Sequence, residues 1–530
     1  MGRRNGDARA IVQEAECRLA PLSVDRNLAW WESQVAATSE NEERRTRAEI
    51  AWSNDLADGE LFTAVESARD GGVSDGAGRE LELLRNLMLP HQVPAELRER
   101  IVELESSVDV RFSRHRGLVR GVEVDDTEIK RILRQSDDVP ERREAWEGSK
   151  TVGAEVADDV RELARLRNEA ARELGYRDWF ALSLAADELD ESKLIETLVA
   201  AERVTAEPFA RWKTSLDERL AERFGCPVSE LRPWHYADPF FQEPPPDGAV
   251  DLDPLFAGRD VVGLARRTFE GIGLLVEGIL GGSDLYPRDG KCQHAFCIDV
   301  DRRGDVRVLA NVVSTQESQD TMLHELGHGV YDLGFRDGLP WLLRSTHLVA
   351  TEASAILFGA LAGRREWLEA VLGLGADEGA ELESRLRAAR AVELLVFTRW
   401  VLVMNAFERA LYTDPDGDLD SLWWSLVSRF QEVTPPDGRH APDWAAKIHI
   451  AVAPVYYHTY LYGAIVASQI AAGLESSVGG IVDRPEAGTE LREKLFGPGQ
   501  SMRWDRLVER ATGAPFSVDA LAHEVAAAGA

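Results

Sequence analysis

The most informative segment of this chain is DTMLHELGHGVYDLGF, residues 320–335. It contains His-Glu-x-x-His, with His324 and His328 four positions apart. Positions i and i+4 of an α-helix lie on one face, so both imidazoles could bind one metal ion from adjacent turns. Glu325 stands beside them, where the glutamate of zinc peptidases takes a proton from the water on the metal. Asp332 shares the face of His328 and is predicted either to hydrogen-bond an imidazole or to be an ordinary surface acid.

A catalytic zinc site also needs a third protein ligand and an open fourth position. The metzincin pattern would place glycine at position 331 and histidine at position 334, but the chain has Tyr331 and Gly334 there. The apolar segment STHLVATEASAILFGALAG follows, and Glu352 interrupts it. A carboxylate in an apolar helix is costly unless it is paired or binds a metal. Glu352 is therefore the leading candidate. His347 is the competitor, although a capping or solvent-facing role is ordinary near the start of a helix.

Composition limits the partners and the compartment. The chain has 530 residues and a formal net charge of −31, and such an acidic surface repels phosphate backbones, which argues against nucleic-acid binding. It has no run of 18 apolar residues, so no membrane span is predicted. Its start shows no apolar region of a signal peptide. Four cysteines are too few for a disulfide framework, and a cytoplasmic protein with reduced thiols is expected.

Hydrophobic periodicity predicts a mainly α-helical protein. From about residue 12 to residue 224, apolar residues recur at three- and four-residue spacing. The proline-rich stretch 240–256 predicts an irregular loop, with a hinge near Pro244. The period then changes: the β-branched runs HAFCIDV and VRVLANV flank DRRGD, and they predict a β-hairpin over residues 294–312. Helices are predicted to resume at about Glu317 and to continue almost to the end.

These motifs resemble those of the gluzincin zinc metallopeptidases, in particular the angiotensin-converting enzyme (peptidyl-dipeptidase) family and the related thimet oligopeptidase and oligoendopeptidase family. In that group the glutamate ligand lies about two dozen residues after the histidine motif, as Glu352 does. The segments RREAWEGSKTVGAEVADDVRELARLRNEAARELGYRDW and LAERFGCPVSELRPWHYADPFFQ resemble its N-terminal helix pair and the segment leading toward its cleft. LWWSLVSRFQEVTPP and WAAKIHIAVAPVYYHTYLYG resemble its two C-terminal signatures. The resemblance covers roughly residues 100–500.

The resemblance implies a fold and a cofactor. The expected fold is a single peptidase domain over residues 1–530, a large helical ellipsoid around a deep central cleft. Its approximate halves would be residues 1–240, with the lid, and residues 250–530, with the zinc site. The small hairpin would lie beside the zinc helix and pair with the substrate backbone. The implied cofactor is one Zn²⁺ per chain, bound by the two motif histidines and Glu352, with Glu325 as the general base.

The resemblance also implies residues that bind substrate. His294, at the start of the hairpin and thirty residues before the motif, matches a histidine that contacts a substrate carbonyl; an ordinary hairpin-end histidine is the alternative. In the converting-enzyme branch, the lysine that Lys447 matches holds the free C-terminal carboxylate of the substrate, and an ammonium group suits that task. His449, two residues later, matches a second carbonyl-binding histidine. An ordinary exposed lysine at position 447 is the alternative.

The segment VYYHTYLYG supplies phenols that could stabilise an oxyanion. Tyr457 and Tyr460 are about one helical turn apart and can share a face. By the Tyr-x-x-Tyr pattern of the family, Tyr460 is the oxyanion donor and Tyr457 contacts a carboxylate or carbonyl. The spacing from His449 is one residue longer than in the family, which leaves a shift by one position to Tyr456 open.

Three positions depart from the family pattern. Chloride-responsive members hold chloride with arginines where this chain has Val427 and Thr459, so chloride activation is not expected. Ile356 replaces an aspartate that follows the glutamate ligand by four residues. Asp332 would then compensate, or zinc would bind more weakly.

The predicted function is zinc-dependent hydrolysis of short unfolded oligopeptides, with release of C-terminal dipeptides. The first alternative is an endo-oligopeptidase of the thimet oligopeptidase type, and the second is an inactive peptide-binding protein with a peptidase fold. The expected partner is an oligopeptide, with neither nucleic acid nor membrane, and the expected assembly is a monomer or a homodimer. The natural substrate and the cleavage preference are not predicted.

Overall fold

The computed structural model describes residues 8–71, 77–245 and 250–529. These residues form a mainly α-helical chain with two small antiparallel hairpins, which confirms the predicted class. The proline-rich stretch is irregular around Pro244, as predicted, and its residues 246–249 lie outside the described residues. None of the described helices is both long enough and apolar enough to cross a membrane.

The chain divides into two compact units, each built from separate stretches of sequence. The first unit comprises Met1–Gln92, Asp251–Leu386 and Tyr462–Leu521; the second comprises Val93–Val250, Arg387–Leu461 and Ala522–Ala530. The boundary after residue 250 falls in the connection that the sequence predicted. The boundaries after residues 92, 386, 461 and 521 were not anticipated, because continuous helices or unremarkable turns cross them.

The first unit contains the α-helices Ala8–Val35, Ser39–Leu56, Gly59–Asp70, Ala77–Met88, Asp253–Phe256, Val261–Gly271, Glu277–Gly282, Gln316–Leu333, Leu348–Gly359, Arg365–Trp367, Pro485–Leu491 and Trp504–Thr512. The second contains Ala95–Arg114, Asp126–Gln135, Val139–Glu173, Trp179–Ala186, Glu191–Phe224, Leu419–Gln431 and His449–Val452. Of the helices in the described ranges, three cross a unit boundary: Ala376–Thr413, Tyr457–Val478 and Asp519–Val525. We call Gln316–Leu333 the motif helix and Leu348–Gly359 the Glu352 helix.

The ends of the helices follow from local sequence. The side chain of Thr315 accepts the backbone N–H of Ser318 and caps the motif helix, which begins at Gln316, one residue before the predicted start at Glu317. In the second unit, Asp190 caps the helix Glu191–Phe224 by accepting the N–H of Lys193. Such caps satisfy N–H groups that have no partner within the helix.

Two hairpins interrupt the helices. Phe296–Asp299 pairs antiparallel with Val306–Leu309, inside the predicted hairpin 294–312, and this hairpin packs on the motif helix. The second hairpin, Gly117–Val119 with Val122–Val124, lies in a region that was predicted to be helical throughout. Its two-residue turn places Arg120 at φ 52° and Gly121 at φ 76°, which is the geometry that joins two antiparallel strands most tightly. Each strand has only three residues, which is too few for an alternation of apolar and polar side chains to be recognised between the neighbouring helices.

Each unit has a hydrophobic core of its own. In the first unit, buried side chains from the N-terminal helices pack together, among them Val12, Leu56, Leu81, Leu84 and Met88. In the second unit, one cluster joins Val119 of the unpredicted hairpin to Ile129, Leu133, Trp146 and Trp234. Burial of these apolar side chains holds the helices of each cluster together.

Candidate metal centre and substrate-binding residues

The motif helix brings its two histidines together. The rings of His324 and His328 have centroids 5.0 Å apart and planes inclined by 81°. Both side chains are half-buried, while Glu325 between them is buried. The four-residue spacing therefore places both rings on one face of the helix, as helix periodicity predicts.

Glu352 completes a set of three donors. It is buried in the Glu352 helix, and its Oε2 lies 4.0 Å from the Nε2 of His324. One ligand atom from each of His324, His328 and Glu352 lies within 4.8 Å of the other two. His347, the competing ligand, instead caps the Glu352 helix: its Nδ1 accepts the N–H of Val349 at 3.2 Å.

Close packing of backbones sets this geometry. A Cβ on Gly327, in the motif helix, would lie 2.9 Å from the Cα of Ala355 in the Glu352 helix. A Cβ on Gly463 would lie 2.8 Å from the Cβ of Glu352. Because real Cβ atoms do not approach so closely, only glycine at these two positions lets the ligand-bearing helix fit between its neighbours. Neither position was predicted, since a glycine in a helix gives no sign of what it packs against.

The donors fit a divalent metal ion. Desolvation lowers the pKa of His324 to about 4. Desolvation also holds the pKa of His328 well below its ordinary value, and a positive charge on His324 would lower the pKa of His328 further. Both imidazoles are therefore neutral, the form that binds metal. Two neutral imidazoles and one carboxylate are the donor set of a catalytic zinc site that keeps one open position.

Glu325 is held by the hairpin. Its carboxylate accepts the backbone N–H of Cys297, and it is only 8% exposed. Burial, with a smaller contribution from the negative charge of Glu352, raises the pKa of Glu325 to about 8. A carboxyl group with a raised pKa is suited to take and return a proton near neutral pH.

Thr351 is a site residue that sequence reasoning missed. Its Oγ1 lies 2.6 Å from the Nδ1 of His328, which leaves the Nε2 of that ring for a metal. One of the two roles predicted for Asp332 was this hydrogen bond to an imidazole. Asp332 lies instead among the charges of Asp299 and Arg302, where burial and Asp299 raise its pKa and Arg302 opposes the rise. Thr351 directly precedes Glu352, and that adjacency was the only available signal.

Lys447 lies in the second unit and is not an ordinary exposed lysine. Its Nζ donates to the Oε1 of Gln242 at 2.9 Å and lies 5.2, 5.4 and 5.7 Å from the ring centroids of Phe240, Trp400 and Tyr457. Burial lowers the pKa of Lys447 to about 8. A desolvated ammonium group held by one amide oxygen and three rings is placed to bind an anion.

The predicted tyrosines and His449 lie together in the second unit. The ring of Tyr457 has its centroid 5.1 Å from that of His449 and 5.6 Å from that of Tyr460, and the rings of Tyr456 and Tyr460 are 5.1 Å apart. Tyr457 is buried, which raises its pKa, whereas Tyr460 is partly exposed. Tyr460 is thus the more accessible phenol on the face that the spacing predicted. His294 lies in the first unit, exposed, two residues before the first strand of the hairpin.

A buried acid fixes the turn that precedes these tyrosines. Val455 has φ 57°, a strained value for a β-branched residue, and its N–H donates to the Oε1 of Glu408 at 2.8 Å. Glu408 is 2% exposed, and burial raises its pKa to about 7. The hydrogen bond holds the chain in the conformation from which the helix of Tyr457 starts. Sequence reasoning missed Glu408 because it lies inside an ordinary helical pattern.

Two family models match separate parts of the chain. Residues 280–527 match the family model described as Peptidase family M3, and residues 3–201 match the model described as Angiotensin-converting enzyme. The chain is 23% identical over 537 residues to angiotensin-converting enzyme of Mesocricetus auratus, over 92% of this chain and 40% of that protein. The chain thus spans about 40% of the length of that relative.

The mainly helical fold and the His-His-Glu donor set are consistent with these matches, and the chain is similar to the gluzincin metallopeptidases. Within that class the chain is similar to the angiotensin-converting enzyme and thimet oligopeptidase group, and the resemblance stated from the motifs is confirmed.

Proposed function

We propose that this protein is a zinc-dependent peptidase that hydrolyses short, unfolded oligopeptides and releases C-terminal dipeptides. The observation that carries the proposal is the group of His324, His328 and Glu352 with buried Glu325 beside it. One Zn²⁺ per chain would be held by the first three residues. When bound, it would lower the pKa of a water molecule and polarise the carbonyl of the scissile bond.

The protein's own groups would move the protons and balance the charge. Glu325, positioned by the N–H of Cys297, takes a proton from the attacking water and passes it to the leaving amine. Tyr460 donates a hydrogen bond to the oxyanion, and His449 assists. The edge of the hairpin and His294 bind the substrate backbone. Asp332 would support the site through its charge interactions with Asp299 and Arg302 rather than through a hydrogen bond to an imidazole.

The half-buried Lys447 supports cleavage from the C-terminal end. Its ammonium group, with Gln242 and Tyr457 around it, would bind the free carboxylate of the last residue, and Tyr456 would line the same place. A carboxylate paired with a desolvated ammonium group gains a charge-assisted hydrogen bond that an amide cannot form.

Amidation of the substrate tests this assignment. We expect the enzyme to release dipeptides from a free-acid peptide and to cleave the C-terminal amide of the same peptide at least about tenfold more slowly, measured as kcat/KM by mass spectrometry of products. Lys447→Gln should abolish that difference, whereas Lys193→Gln, at an exposed lysine, should leave it as in the wild type. Equal rates on both substrates with the wild-type enzyme would show that no carboxylate is clamped.

An endo-oligopeptidase is the second candidate, and the match of residues 280–527 to Peptidase family M3 favours it. In that case products of mixed length should appear, and amidation should have little effect. The same product map therefore separates the two functions.

The hydroxyl of Thr351 should matter for the metal. Thr351→Val keeps the shape but removes the partner of the His328 Nδ1, and we expect zinc affinity to fall by about 10- to 100-fold, measured by competition with a chromophoric chelator. Thr321→Val is the matched control, because that hydroxyl bonds only the helix carbonyl of Glu317 among the contacts described. Unchanged affinity in Thr351→Val would remove Thr351 from the site.

A cytoplasmic location is also proposed. All four cysteines, Cys17, Cys226, Cys292 and Cys297, are free thiols, which suits a reducing compartment. Monomer and homodimer both stay predictions. The absence of chloride activation, inferred from Val427 and Thr459, stays a prediction as well.

A further inference from the structure

A buried guanidinium group holds a short helical turn of the second unit. Arg167, on the helix Val139–Glu173, is 1% exposed. Its Nη1 donates to the backbone carbonyl of Ile450 at 3.2 Å, and its Nη2 donates to the backbone carbonyl of Ala451. Both carbonyls belong to the single-turn helix His449–Val452. The last carbonyls of a helix lack partners within it, and one turn is too short to be stable alone. Arg167 therefore stabilises this turn from outside.

The charge of Arg167 is compensated beside these carbonyls. The Oε1 of Glu105 accepts the Nη2 at 2.6 Å, and the hydroxyl of Tyr412 accepts the Nη1 at 3.2 Å. The neighbouring Asn168 donates to the backbone carbonyl of Tyr412 at 2.8 Å, which fixes the residue that carries this hydroxyl. A planar guanidinium group can serve four acceptors in fixed directions, whereas an ammonium group has three donors. Both terminal nitrogens thus bind groups of the protein, so their task is to hold chain segments together.

The helix that carries Arg167 also contacts the preceding part of the same segment. A Cβ on Gly153 of this helix would lie 2.5 Å from the carbonyl oxygen of Pro442 and 3.0 Å from the backbone nitrogen of Ala446. Arg167 follows Gly153 by fourteen residues, which is about 21 Å along a helix. Residues 442–451, which include the lysine and the histidine of the site, are therefore held at both ends by one long helix.

Glu408 holds the chain just beyond this segment by accepting the N–H of Val455 at 2.8 Å. The residues between the two anchors connect His449 to Tyr457, whose rings have centroids 5.1 Å apart. Arg167 and Glu408 thus fix the connection between the two rings at its beginning and at its end. Side-chain directions on so short a connection depend on its backbone, so a change at either anchor should turn the rings.

We propose that Arg167 is a positioning residue for the hydrolytic reaction and acts through His449. By holding the carbonyls of Ile450 and Ala451, it orients the imidazole toward the oxyanion to which Tyr460 donates. The inference rests on the proposed function, because that function gives the imidazole its task. Arg167 itself would not contact the substrate. A donor that is turned away from the oxyanion loses its effect on the transition state.

The kinetics of Arg167→Gln test the proposal. We expect kcat for peptide hydrolysis by the zinc-loaded enzyme to fall at least about tenfold, while KM changes by less than about threefold, because the misplaced donor acts mainly on the transition state. Arg167→Lys keeps the charge but not the planar fork, and its kcat should lie between those of Arg167→Gln and the wild type. Arg172→Gln, at an exposed arginine of the same helix, should keep the wild-type kcat.

A double-mutant cycle separates positioning from a general loss of stability. If Arg167 acts through His449, Arg167→Gln should lower kcat by less than about twofold when it is added to His449→Ala. Additive effects of the two substitutions would overturn the inference, because they would show that Arg167 acts elsewhere. A wild-type kcat in Arg167→Gln alone would overturn it as well.

Nuclear magnetic resonance of the histidine rings decides the question without turnover. With histidine labelled by ¹³C at Cε1, the signal of His449 is identified by its loss in His449→Ala. We expect this signal to move in Arg167→Gln and to keep its place in Arg172→Gln; an unmoved signal in Arg167→Gln overturns the inference. If the wild type cleaves no peptide, the proposed function fails, and the signal still shows whether Arg167 orients the ring. If Arg167→Gln does not fold, as judged by circular dichroism, the same shift and the same cycle are measured with Arg167→Lys.

Discussion

Glu325→Gln is expected to lower kcat for peptide hydrolysis by about 10²- to 10⁴-fold. The amide has nearly the shape of the carboxylate and can accept the N–H of Cys297, but it cannot take a proton from water. Metal content, measured by mass spectrometry, should stay at one zinc per chain, since Glu325 is not one of the three grouped donors. The thermal unfolding midpoint should not fall, because the substitution removes a buried carboxyl group that desolvation disfavours in its charged form.

Glu317→Gln is the matched control. Glu317 lies in the first turn of the same helix and is exposed, so the substitution removes one charge near the helix start and nothing from the site. Its activity should equal that of the wild type. If Glu325→Gln kept wild-type hydrolysis of a broad peptide mixture, Glu325 would not be the general base, and the proposed mechanism would be wrong.

Glu352→Gln is expected to have the second large effect, on the metal itself. The neutral amide replaces the only carboxylate in the donor group and loses its attraction for a divalent cation. We expect zinc affinity to fall by more than about 100-fold, beyond the range of a residue that only supports a ligand. Activity at low zinc should disappear, and added zinc should restore part of it.

Two measurements distinguish the loss of a metal ligand from a general effect of the substitution. Glu366→Gln, at an exposed acid just beyond the Glu352 helix, should bind zinc as the wild type does. Circular dichroism should show that Glu352→Gln remains helical, so that lost affinity is not lost folding. Wild-type zinc affinity in Glu352→Gln would mean that another group is the third ligand, and His347 would be the first to examine.

Much of the fold and the donor set followed from short-range patterns. The spacing of His324 and His328 fixes their shared face by helix geometry alone, and an acid in an apolar helix identified Glu352. The cap at Thr315 and the β-branched runs of the hairpin are also readable within a few residues. The hairpin at residues 117–124 was missed because its strands are three residues long.

The sequence by itself thus determined the mainly helical class and the metal-binding motif, and it predicted the class of chemistry that we propose, because each depends on residues within one or two elements. The tertiary structure alone decided which groups support that chemistry: Thr351 at His328, and the N–H of Cys297 at Glu325. It also decided that Arg167 binds the carbonyls of Ile450 and Ala451. These contacts join side chains from different elements, and they are set by backbone approach and apolar packing, which no local spacing records.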